Sequence, residues 1–305
     1  MHCNLCPRRC GAQRDQGELG VCKSPWELTA ARAALHMWEE PVLSGIAGSG
    51  TVFFSGCALG CVFCQNQTIA AGETARIISN EKLTELFLML QEKGAHNINL
   101  VTGSHYVPQI VTALQRAKDQ GLKIPVVYNT GSYEKVQTLR LLEGLVDIYL
   151  PDLKYRDSNL AARYADAPDY FQYASAAIEE MIRQVGDPVL ESVPGVQTGD
   201  GEELFLMKKG VIVRHLLLPG QSRDSRGIIR YLYETWGNRI YISIMNQYTP
   251  CNYLPEYPEL DRKVTPEEYD ELVDYAIELG VEQGFIQEGD TAEESFIPAF
   301  DYEGL

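Results

Sequence analysis

The sequence predicts an α/β protein assembled from parallel βαβ units, with a small Cys-rich module ahead of it. Three observations carry this. Apolar, strand-like segments alternate with helix-period segments from residue 51 onward. Seven of the eight cysteines fall in the first 64 residues, in two tight groups. No run of about 18 apolar residues occurs, so no membrane-spanning helix is expected.

Taken in order, residues 1–25 are rich in Cys, Arg and Gly, show little apolar periodicity, and read as a module folded around a metal. Residues 26–48 read as a connector with a short helix and a turn from Pro41 to Gly48. Residues 49–305 form the main domain. Its first strand is Thr51-Val52-Phe53-Phe54, and Leu83, Leu86, Phe87 and Leu90 set a helix over 80–93. Strand Ile98–Val101, a helix over 107–120, strand Val126–Tyr128, a helix over 133–143 and strand Val146–Leu150 follow. A mostly helical stretch covers 159–185, and 188–210 reads as a hairpin-like excursion. Strand Val211–Leu218, a helix over 225–236, strand Ile240–Met245, a helix over 266–279 and a short strand at 284–287 complete the pattern. Six strands alternating with helices suit a barrel or a doubly wound sheet. The tail from Phe285 to Leu305 mixes acids with Phe296, Ile297 and Phe300 and is expected to lie against that domain.

Over 305 residues, 45% are hydrophobic and 22% charged, ordinary values for a globular chain. The formal net charge of −16 argues against a nucleic-acid partner, which needs clustered Lys and Arg. Met1-His2-Cys3 opens no apolar signal core. Short-spaced cysteines without a secretion signal read as metal ligands, not disulfides, and place the protein in a reducing cytoplasm. An exposed metal–thiolate site would favour anaerobic conditions.

The segment Cys57-Ala58-Leu59-Gly60-Cys61-Val62-Phe63-Cys64 follows a strand, on the face where parallel β/α barrels keep their active sites. Three thiolates this close hold three corners of a [4Fe–4S] cubane, which normally takes four. One iron is left open to a small molecule, and Gly56 and Gly60 let the loop bend around the metal. The competing reading is a closed zinc site with a distant fourth ligand. Separately, Cys3-x2-Cys6-x3-Cys10-x11-Cys22 supplies four thiolates. Zinc and a second [4Fe–4S] cluster both suit that spacing. Cys251 stands alone in Tyr248-Thr249-Pro250-Cys251-Asn252, either a buried free thiol or a substrate-side residue. Tyr241, Tyr248, Tyr253 and Tyr257 are candidate pocket aromatics beside it.

At Cys57, Cys61 and Cys64, with Phe63 before the last Cys, the sequence resembles the radical S-adenosylmethionine superfamily. Within it, the chain looks like the pyruvate formate-lyase activating enzyme-like family. The likeness lies in Cys3-Asn4-Leu5-Cys6-Pro7-Arg8-Arg9-Cys10-Gly11, Glu39-Glu40-Pro41, Asn97 to Ile110, Tyr128-Asn129-Thr130 and Asp147 to Lys154. It continues through Val213 to Gly220, Met245 to Pro250 and Phe296-Ile297-Pro298, nearly the whole chain.

The resemblance implies a partial (β/α)6 TIM-type barrel whose open iron is chelated by the amino and carboxylate groups of S-adenosylmethionine. One electron, from a donor such as flavodoxin or ferredoxin, cleaves the sulfonium bond. The 5′-deoxyadenosyl radical then takes a hydrogen atom from a substrate, with a glycyl-radical-type protein or peptide as the leading class. A small-molecule substrate is the rival among oxidoreductases, and a non-catalytic iron–sulfur electron carrier is the rival outside enzymes.

By the same likeness, Asp152 lies near the sulfonium and Lys154 pairs with the methionine carboxylate, against the alternative of a strand-end surface ion pair. Asn129 and Thr130 lie near the cofactor, and His215 meets its sugar or adenine unless it is a satisfied core residue. Where many members carry Gly-Gly-Glu, this chain reads Val101-Thr102-Gly103-Ser104-His105. Thr102, Ser104 or the backbone is expected to take the missing glutamate's role toward the amino group.

Overall fold

A computed structural model describes residues 2–198, 201–250, 254–287 and 298–305. The chain runs through β1 (Thr29–His36), α1 (Pro41–Ser44), β2 (Ser49–Phe54), α2 (Gln67–Ala70), β3 (Arg76–Ile77) and α3 (Asn80–Glu92). Then come β4 (Ile98–Val101), α4 (Val107–Asp119), β5 (Val126–Thr130), α5 (Val136–Leu139), β6 (Ile148–Pro151), α6 (Ser158–Ala165) and α7 (Tyr170–Val185). The last elements are β7 (Val189–Gln197), β8 (Glu203–Leu216), α8 (Ser222–Trp236), β9 (Tyr241–Met245), α9 (Pro266–Leu279) and β10 (Gly284–Ile286).

The strands form one sheet in the order β10-β9-β8-β6-β5-β4-β2-β1-β3, with β7 paired on β8. From β2 to β10 all neighbours in that order are parallel, for example Ile98↔Val126 and Val127↔Ile148. The two ends of the sheet do not bond each other. The fold is an open, partial β/α barrel, as expected.

Strand alternation divides the apolar residues between two layers. Val127, Ile148, Leu150 and Ile212 pack together on the inner face. Ile98, Leu100, Val126, Tyr128, Tyr149, Val211 and Val213 face the helices, where Leu86 and Leu90 of α3 and Ile110 and Leu114 of α4 meet them. Both faces are buried, so these strands read as continuous apolar runs. The inner face turns polar toward the C-terminal strand ends, at Asn99, Asn129, Asp152 and Arg214, and there the core opens into a cavity.

Residues 26–48 differ from the expected connector. They carry β1, eight residues antiparallel to β2 with Ala34 opposite Thr51. The run Thr29-Ala30-Ala31-Arg32-Ala33-Ala34 has helix propensity and no strand-like alternation. Burial overrides it: Ala30, Ala31 and Ala33 are fully covered in the sheet. The stretch 188–210 is a hairpin, and its second strand continues without a break into the barrel as β8. Residues 298–305 lie against β1. The Ala33 N–H donates to the Glu303 carbonyl and the Tyr302 N–H to the Ala31 carbonyl, while Phe300 meets Phe53 edge-on at 5.5 Å. Cys251, Tyr253, Phe296 and Ile297 lie outside the described residues.

Candidate active site

The loop after β2 is held from several sides. Gly56 has φ +91°, and a Cβ there would lie 1.9 Å from Ser24 Oγ and 2.5 Å from the Cys22 carbonyl oxygen. Only glycine meets both conditions. That close approach lets the Cys57 N–H donate to the Cys22 carbonyl at 3.2 Å. Arg8 reaches across from the N-terminal module, donating from Nε to the Ala58 carbonyl at 2.8 Å and from Nη2 to that of Leu59 at 3.0 Å. On the far side the Val62 N–H donates to the Tyr164 carbonyl at 2.9 Å. Phe63 is buried edge-on among Tyr155, Tyr164 and Tyr248, with centroids 5.9–6.5 Å away, and so anchors the loop's end.

Cys57, Cys61 and Cys64 all line one cavity of about 260 Å3, together with Phe63. Thr102 and Ser104 after β4, Asn129 and Thr130 at the end of β5, and Asp152 and Lys154 after β6 line the same space. The sulfurs already receive donors: the Leu59 N–H to Cys57 Sγ at 3.4 Å and the Tyr155 hydroxyl to Cys61 Sγ at 3.7 Å. Burial pushes the Cys64 thiol up to about 12, and the neighbouring Cys57 and Cys61 push the same way. Burial likewise raises Cys61, against the pull of the Lys154 charge. With the Cys61 and Cys64 thiols both pushed up, a multiply charged metal centre is what would draw them into the thiolate form. The donor set therefore fits an iron–sulfur cluster. Among the described residues no three His, Cys, Asp or Glu side chains converge on one ion. A cubane instead offers each thiolate its own iron.

A buried charge network floors the cavity. Arg214 donates from Nε to Asp152 Oδ1 at 2.8 Å, from Nη1 to Glu39 Oε2 at 3.1 Å and from Nη2 to Asn129 Oδ1 at 2.7 Å. Lys154 Nζ pairs with Asp152 Oδ2 at 2.7 Å, and Asn99 donates to Glu39 Oε1 at 2.7 Å. Burial would raise the Asp152 carboxyl, yet the Arg214 and Lys154 charges hold it below its usual range. Glu39 ends above its range, because burial outweighs Arg214 and the amide donors. Asp152 and Lys154 are thus tied into the cavity wall, not paired on an exposed surface.

His215 is not among the lining residues. It is buried, with Nδ1 donating to the Leu153 carbonyl at 2.8 Å. Alternation along β8 puts Arg214 into the cavity and turns His215 to the side of Val213, which packs under the helices. In the N-terminal module Cys6 and Cys22 are buried, Cys3 is half-buried and Cys10 is exposed. The sulfurs of Cys10 and Cys22 flank Gly20, lying 3.2 and 3.4 Å from where its Cβ would be.

Sequence reasoning singled out neither Arg214 nor Glu39 as site residues. A cation inside an apolar strand and a Glu-Glu-Pro turn are visible signals, but their pairing spans 175 residues.

Residues 51–185 match the Radical SAM superfamily. An uncharacterized protein of Methanocaldococcus jannaschii is 28% identical over 282 residues, covering 90% of this chain and 74% of the relative. Among solved structures, SuiB of Streptococcus suis bound to S-adenosylmethionine aligns with a TM-score of 0.50 at 14% identity over 76% of this chain. Methylornithine synthase (PylB) aligns with a TM-score of 0.53 at 13% identity over 84% of it. The chain spans only 48% of the SuiB chain and 65% of PylB, so these two speak to the fold alone. No described helix is long and apolar enough to cross a membrane. The three-cysteine loop, at a strand's C-terminal end on an open β/α barrel, lies inside the segment 51–185 that matches the Radical SAM superfamily.

Proposed function

We propose that this protein reductively cleaves S-adenosylmethionine at a [4Fe–4S] cluster held by Cys57, Cys61 and Cys64, and abstracts a hydrogen atom from a substrate. One observation carries the reading: the three thiols share a cavity with Asp152, Lys154, Asn129 and Thr130. When bound, the cluster and S-adenosylmethionine supply one-electron cleavage of the sulfonium bond and a 5′-deoxyadenosyl radical. The chain's own residues bind and orient. Lys154 offers its remaining ammonium hydrogens to a carboxylate. Arg214 and Lys154 fix the Asp152 carboxylate in one orientation, where it would offset the positive charge of a sulfonium bound in the cavity. Phe63 and Tyr248 supply an apolar wall that excludes water.

Likeness to pyruvate formate-lyase activating enzymes supports a glycyl-radical-type protein or peptide as substrate, a donor such as flavodoxin or ferredoxin, and a cytoplasmic setting. Cys3, Cys6, Cys10 and Cys22 are proposed to hold a second metal, zinc or [4Fe–4S].

Anaerobic reconstitution tests the whole reading. The reduced protein should release methionine and 5′-deoxyadenosine without substrate, and the Cys57, Cys61 and Cys64 triple Ala variant should lose that iron and the cleavage. Retention of full iron, or no cleavage by a fully reduced cluster, would refute it. In the same metal analysis, Ala at Cys3, Cys6, Cys10 and Cys22 should remove either zinc or about four irons. Unchanged zinc and iron would remove the second site.

A further inference from the structure

The segment Val101-Thr102-Gly103-Ser104-His105 at the end of β4 carries no carboxylate, but one lies directly behind it. Glu134, four residues past β5, is fully buried. Its Oε1 accepts three hydroxyls: Ser104 Oγ at 2.5 Å, Thr130 Oγ1 at 2.6 Å and the Tyr128 hydroxyl at 3.2 Å. Its Oε2 is buried with no partner among the described residues. Burial holds this carboxyl above its usual range, against the smaller opposing pull of the three hydroxyls. An ionised carboxylate buried without a cation is costly, and a ligand that brings a cation relieves the cost.

A hydroxyl has one hydrogen. Ser104 and Thr130 each spend theirs on Glu134, so each can show the cavity only lone pairs. Thr130 Oγ1 also accepts the Ser132 N–H at 3.2 Å, which holds it in place. Both residues line the cavity. Gly131, next to Thr130, sits between the cluster loop and Lys154: a Cβ there would lie 3.4 Å from Leu59 Cδ2 and 3.6 Å from Lys154 Cε. The wall therefore offers acceptors beside a cation. An amino-acid headgroup, with an amino group that donates and a carboxylate that accepts, matches that pair.

We propose that Glu134 is a positioning residue: it turns the hydroxyls of Ser104 and Thr130 into acceptors for the amino group of S-adenosylmethionine. The inference rests on the S-adenosylmethionine reading above. It deepens that reading by replacing an absent strand-end glutamate with a buried carboxylate acting through two hydroxyls.

The test is a double-mutant cycle between protein and ligand. Equilibrium dialysis on the reconstituted, oxidised holoprotein avoids turnover. The ligands are S-adenosylmethionine and its deaminated analogue, with hydrogen in place of the amino group. The double variant S104A/T130A should weaken S-adenosylmethionine by about tenfold or more, and leave the analogue within about twofold. E134Q, which keeps the shape and loses the charge, should show the same pattern. Unchanged analogue affinity reports an intact cavity, and the single variants S104A and T130A carry the test if the double variant fails to load its cluster. Equal losses for both ligands, or no loss for S-adenosylmethionine, would overturn the inference and leave the functional reading standing. If the wild-type holoprotein binds neither ligand, the functional reading falls and this inference with it.

Discussion

At the scale of single residues, Gly56 decides more than its size suggests. It is the hinge on which the cluster loop turns under the N-terminal module, at φ +91° and with no room for a Cβ between Ser24 and the Cys22 carbonyl. In G56A the left-handed conformation alone costs about 1–2 kcal/mol. The clash must then push Cys57 away from Cys22, since both contacts lie on the same short link. We expect G56A to fold but to take up much less iron into the loop cluster on reconstitution, measured as iron per chain. Wild-type loading would show that the Cys22–Cys57 contact does not position the loop. The three loop cysteines were legible at this scale because their spacing is local. Arg214 and Glu134 were not, because their partners come from distant strand ends.

Among the elements, β1 shows how context overrides propensity. Its Ala-rich run would suit a helix, yet it pairs along β2 and is covered on its other edge by the C-terminal tail. Such an edge otherwise exposes unpaired N–H and C=O groups. The tail's hold comes from Phe300, partly buried on the Phe53 cluster, and from Arg32, which pairs with Asp301 and Glu303. The ion pairs are half-exposed and contribute little, so the aromatic contact should dominate. F300A should lower stability by about 1–2 kcal/mol, read from the denaturant midpoint. Amide exchange at Ala33 should speed up, because its N–H donates to Glu303. Unaltered exchange there would mean that the tail does not close this edge. The tail was expected to pack, but its partner was hidden, since β1 itself was not legible as a strand.

For the whole molecule, pH stability should reflect two buried imidazoles. His105 is held down to about 3 and His215 to about 4, chiefly by burial, against an ordinary value of 6.5. Both stay neutral when folded, and each uses one ring nitrogen on a backbone carbonyl. Below pH 6.5 these two histidines bind protons in the unfolded chain that they refuse in the folded one, so their contribution to stability is complete above 6.5 and falls as pH drops toward 4. The slope is about 1.4 kcal/mol per pH unit for each His. Glu39, Glu40 and Glu134, each raised by burial, work in the opposite sense and offset this. Denaturant unfolding at pH 7, 6 and 5 should show H215N losing less stability than the wild type as pH falls. An equal slope in H215N would exclude His215 as a cause.

The sequence by itself determined the class of fold and the candidate centre of the chemistry. Alternating apolar periods encode βαβ units locally, and a C-x3-C-x2-C loop carries its three thiols within eight residues. Only the tertiary structure decided which polar residues share the cavity. A strand's two faces differ by one residue, so sequence could not choose between Arg214 and His215 until the inner and outer layers were known. Glu134 entered the site on the same terms, because burial and hydrogen-bond geometry, unlike ligand spacing, exist only once distant strand ends have met.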